Sequence, residues 1–145
     1  MLEVTVYNNQ TGITLPDELL ETFSVSATAA LPDVLANTVN GGGVIGELEE
    51  IEVSIVSDEV IDQVHQDFMD VEGATDVITF AHGEIVISAD TALRLSSDYN
   101  QSLEKELFLY IIHGLLHLAG HEDHDADERE AMEKIQFDLV EKYWI

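Results

Sequence analysis

The stretch from Leu107 to Gly120, LFLYIIHGLLHLAG, sets the tightest limit on how this chain can fold. So long an apolar run has to be buried, and its length and closing glycine read as a core helix. It also carries His113 and His117, and burying two imidazoles without partners is costly. Four residues apart on a helix, they share one face, about 40° apart around the axis, where one divalent ion can touch both. Gly120, three residues after His117, is a natural left-handed helix stop. The chain can then reverse and bring back His121, Glu122, Asp123 or His124 as a third ligand. Three protein ligands and one open position describe a catalytic zinc site rather than a closed structural one.

The pair resembles the helix of zinc peptidases, HExxHxxGxxH/D, with one difference. Gly114 stands where those enzymes carry the glutamate that acts as general base. A peptidase or amide hydrolase is therefore disfavoured, and any base comes from elsewhere.

Strands and helices alternate along the rest of the chain. Leu2, Val4 and Val6 alternate with polar residues as a half-buried strand, and EIEVSIVS (50–57) does the same. TDVITF and GEIVIS are two further strands, separated by Ala81 and His82. A helix starts at Pro16 and is expected to break near Pro32; Ser57 and Ser88 cap two shorter ones. Asn100 is read as the start of the histidine-bearing helix, and Asp125 with Glu128 as a capping box for the last. Four strands with a mostly helical second half make an α+β fold, expected as one domain over residues 1–145. No run approaches the roughly 20 apolar residues of a membrane span, and the absence of cysteine fits a reducing cytoplasm.

Charge limits the partners. The chain has 30 acidic and 5 basic residues, a formal net charge of −25, and no Lys or Arg among its first 93 residues. Nucleic-acid affinity comes largely from cations displacing counterions, so free RNA or DNA binds such a surface at a disadvantage. Other polar groups have both a functional and a structural reading. His82 is either a substrate-facing group or an exposed turn histidine, and Asp76 caps a turn or faces a cleft. Glu106, seven residues before His113, reads as an ordinary exposed glutamate, and Tyr110 as core packing.

HGLLHLAG followed by an acidic, histidine-rich turn resembles the HGxLHLxGYDH signature of the YbeY family of metal-dependent bacterial endoribonucleases. TDVITF and GEIVIS resemble a second pair of family segments, and the likeness spans nearly the whole chain. It implies a mixed four-stranded sheet flanked by helices, with zinc at the end of a cleft. It further implies cleavage of single-stranded RNA in ribosomal RNA maturation and ribosome quality control. The zinc ligands carried over are His113, His117 and, at the position of the family's third histidine, Asp123, with His124 as the alternative. Nickel, cobalt or iron also suit such a donor set. Where the family has an arginine six residues before the TDV strand, this chain has Met69. Transition-state charge would then fall to the metal, backbone donors or Arg94. The acidic surface points to ribosomal particles and a basic ribosomal protein as helpers, not to DNA or a membrane. The alternative is a non-catalytic ribosome-assembly factor with a structural or vestigial metal.

Overall fold

In a computed structural model, which describes residues 2–70, 73 and 75–144, four strands and five helices follow one another. They are β1 (Glu3–Asn8), α1 (Asp17–Ala36), β2 (Glu50–Val56), α2 (Asp58–Met69), β3 (Val77–Phe80), β4 (Glu84–Ser88), α3 (Ala89–Asp98), α4 (Leu103–Leu118) and α5 (Ala126–Tyr143). The strands form one sheet in the order β1-β2-β4-β3. β1 and β4 both run parallel to β2, whereas β3 pairs antiparallel with β4 at the edge. This is the α+β architecture with a mixed four-stranded sheet that the sequence implied.

Alternation in the strands assigns the two faces. Ile51, Val53 and Ile55 of β2, with Ile85 and Ile87 of β4, point into the main core, where they meet α1 and α4. Each such side chain contributes on the order of 1.5–3 kcal/mol by leaving water. Val56, Ile78 and Val86 face the other way and are covered by Ile61 of α2.

α4 is buried on most of its circumference: Leu107, Phe108, Ile111, Ile112, Leu115 and Leu116 are fully inside. Its start is Ser102, whose Oγ accepts from the Lys105 amide at 3.1 Å, rather than Asn100, which takes a left-handed turn at φ 54°. α1 likewise departs from expectation and runs through Pro32 without a break. Ala30, Leu31 and Val34 continue one buried face across the proline, and that packing outweighs the lost backbone hydrogen bond. By length and mean hydropathy (1.2) α1 could also cross a membrane. In this fold it is a core helix, with Phe23, Ala27, Ala30 and Val34 sealed against its neighbours.

Candidate metal centre

The site is built where α4 ends. His113 and His117 leave one face of the helix with side chains 23% and 24% exposed, and the turn after Gly120 returns Asp123 to them. Gly120 takes φ 98°, and a Cβ there would collide with the Val39 carbonyl oxygen. Gly43 makes the reciprocal approach, so close to the Leu118 carbonyl that no side chain fits between them. Two glycine-bearing segments thus meet backbone to backbone. The amides of Val39 and Val44 donate to the Ala119 and Leu118 carbonyls at 3.2 and 2.9 Å, and Asn40 Nδ2 donates to Gly120 O at 2.9 Å. This clasp fixes the direction in which the chain leaves α4.

Each histidine is oriented by its second nitrogen. His113 Nδ1 donates to Gln136 Oε1 of α5 at 2.7 Å, and His117 Nδ1 donates to the His121 carbonyl at 2.9 Å. His121 is itself buried, its Nε2 donating to Asn37 O at 2.6 Å. With the Nδ1 hydrogens committed, the two Nε2 lone pairs face each other 3.0 Å apart. Asp123 Oδ2 stands 3.8 Å from both. A tetrahedral ion with bonds of ~2.0–2.1 Å needs donor separations of roughly 3.3–3.4 Å, so these three atoms bracket the required spacing. Burial, and then the neighbouring His113, hold the His117 imidazole below the usual histidine range, which keeps it neutral and able to ligate. The residues present therefore fit a divalent cation.

Of the other polar residues singled out in the sequence, Asp76 and Tyr110 border a cavity beside His113, whereas His124, His82, Arg94 and Glu106 have partners elsewhere. The His124 side chain is 78% exposed and pairs with Glu122 at 3.8 Å. His82 is exposed, stacks on Phe80 and meets Glu84 at 3.3 Å, bordering an acidic cavity of about 470 Å³ with Glu47, Glu50 and Glu52. Arg94 is engaged by Asp58 at 2.6 Å. Glu106 is not the exposed glutamate expected: it is 6% exposed and accepts from Gln101 Nε2 at 2.7 Å.

Gly114 packs on the sheet. A Cβ there would lie 2.7 Å from Ile85 Cγ2 and 2.9 Å from Cδ1, so the position of the peptidase glutamate has no room for a side chain. A cavity of about 190 Å³ opens beside His113 and Asp123, with Asp76, Tyr110, Arg129 and Glu133 in its walls. Gln136, which bonds His113, and Arg129, which borders this cavity, are not revealed by the motifs; the i, i+3, i+4, i+7 series 129, 132, 133, 136 is the signal in the sequence for one shared helix face.

Comparisons with known proteins agree in direction. A family model described as Endoribonuclease YbeY matches residues 17–144. A Moorella thermoacetica protein named Endoribonuclease YbeY is 32% identical over 144 residues, covering 86% of each chain. A Bacillus velezensis protein of the same name is also 32% identical, over 89% of this chain and 95% of its own. The solution structure of a Thermotoga maritima protein superposes with a TM-score of 0.59 at 25% identity, over 99% of this chain and 89% of that one.

Proposed function

This chain belongs to the endoribonuclease YbeY family, and from that premise we propose that it is a metal-dependent endoribonuclease cutting single-stranded RNA during ribosomal RNA maturation and ribosome quality control. The observation that carries the metal is the convergence of His113 Nε2, His117 Nε2 and an Asp123 carboxylate oxygen on one point, with both Nδ1 atoms already bonded. These three groups would hold the ion, zinc first, with nickel, cobalt or iron also compatible with the donors. When bound, zinc supplies Lewis acidity at a phosphodiester and makes water a competent nucleophile near neutral pH. Gln136 and the His121 carbonyl keep the imidazoles aimed, and the half-exposed Asp123 leaves the centre open to a strand from solvent.

The acidic surface supports action within ribosomal particles in the cytoplasm, a basic ribosomal protein bridging the charge, rather than on free RNA. Peptide hydrolysis has no support, since Ile85 fills the space a glutamate at 114 would need. One observation favours a second reading, a non-catalytic assembly factor: Met69 occupies the family's arginine position and is half exposed.

The test is bound metal per chain in wild type, Asp123→Ala and His124→Ala, with chelator-sensitive cleavage of a single-stranded RNA alongside. About one equivalent, retained in His124→Ala and lost in Asp123→Ala together with cleavage, is expected for the ligand set above. Metal without cleavage under any salt or metal condition, with Asp123→Ala still supporting ribosomal RNA processing in cells, would establish the assembly factor instead.

A further inference from the structure

Three of the five cationic side chains are engaged by carboxylates. Arg94 meets Asp58 at 2.6 Å, Lys105 meets Glu141 at 2.7 Å, and Lys142 meets Asp33 at 2.8 Å. Among the described residues, Arg129 and Lys134 have no carboxylate within 4.0 Å, and only Arg129 borders the cavity beside His113 and Asp123. Its place is fixed by the fold. Asp125 caps α5, with Oδ1 accepting from the Glu128 amide at 2.8 Å, and the Arg129 amide donates to the Asp125 carbonyl at 3.0 Å. Arg129 therefore sits in the first turn, on the same helix face that carries Gln136 to His113. A cation in the first turn runs against the helix dipole, but its charge also helps hold the Asp125 carboxyl below the ordinary range.

Tyr110 also forms part of the cavity wall. Its hydroxyl is buried close to the Glu106 carboxylate, on a residue 1% exposed. Burial, then the nearby Glu106 charge, push its ionisation far above the ordinary range, so it remains a donor. An oxygen-rich ligand in the cavity offers Arg129 the partner it lacks.

We propose that this cavity takes a phosphate group of the RNA strand, with Arg129 as the residue that positions it next to the metal. The inference rests on the nuclease reading above. Asp76, Asp123 and Glu133 also line the cavity, and their three negative charges repel an anion. A divalent ion on the histidines and Arg129 together offset them; either cation alone does not. Phosphate binding should therefore require both.

The experiment measures two affinities of the zinc-loaded full chain: inorganic phosphate by ³¹P NMR titration, and a labelled single-stranded 2′-O-methyl RNA by anisotropy at several salt concentrations. Arg129→Gln should weaken both by roughly tenfold or more, as loss of a charge-assisted bond implies, with Arg129→Lys recovering part. The salt slope for RNA should fall by about 0.7 in Arg129→Gln. Lys134→Gln removes the same charge about 140° around the helix and should change the phosphate affinity little. Zinc content and melting temperature should match wild type in all variants, which separates positioning from folding. Equal losses in Arg129→Gln and Lys134→Gln, or no phosphate binding by wild type, would overturn the site. Unimpaired RNA cleavage by Arg129→Gln would sink the phosphate site and leave the nuclease standing. Arg129-dependent phosphate binding without RNA cleavage would do the reverse.

Discussion

Replacing Gly114 by alanine tests how closely α4 lies on β4. Overpacking of a tight core costs roughly 1–3 kcal/mol, while alanine recovers about 1 kcal/mol of helix propensity over glycine. The expected net loss is about 1 kcal/mol in urea unfolding, and a gain would mean that Ile85 yields freely. At this scale the proximity of His113, His117 and Asp123 was legible because spacing along one helix and its stop is local geometry. Gln136 and Arg129 were not, because the rotation of α5 against α4 is set by packing between elements distant in sequence. Glu106 runs against expectation for the same reason: α4 has almost no solvent side for it to occupy.

At the scale of elements, α2 and α3 are joined at their first turns by one carboxylate. Asp58 accepts from Ser88 Oγ at 2.6 Å, from Thr91 Oγ1 at 2.7 Å and from Arg94 at 2.6 Å, while its amide donates to Asp90 at 2.8 Å. Burial works against its charge, but the bonds from Ser88, Arg94 and Thr91 prevail and hold its pKa below the ordinary value. A carboxyl more acidic when folded than when unfolded stabilises above the unfolded pKa of about 3.9 and loses that contribution as pH falls through the folded one. Asp58→Asn should cost about 1–3 kcal/mol at neutral pH, with the gap to wild type narrowing below about pH 3.9 in denaturant titrations. A gap that held constant with pH would show that shape, not charge, matters there. The caps at Ser57, Ser88 and Asp125 were readable because capping is a short-range bond. The continuity of α1 through Pro32 was not, because it depends on a buried face that only the assembled core provides.

For the whole molecule, a net charge of −25 works against compaction. Like charges even face each other across the sheet, Glu3 beside Glu50 and Glu52 beside Glu84. Salt shortens the reach of that repulsion. The melting temperature should therefore rise between about 0.02 and 0.5 M NaCl, by ~4 °C for each kcal/mol of repulsion relieved; a flat or falling profile would show that the charges are already well separated. The clasp between residues 37–44 and the end of α4 has a further consequence, in the order of synthesis. Asn37 waits for His121 across 84 positions, and Asn40 for Gly120 across 80. Gln136, which aims His113, emerges later still. On a translating ribosome the first third of the chain thus leaves the exit tunnel long before its partners exist. Such long-range closures are slow steps in folding, and a nascent chain that ends before residue 136 lacks the group that aims His113.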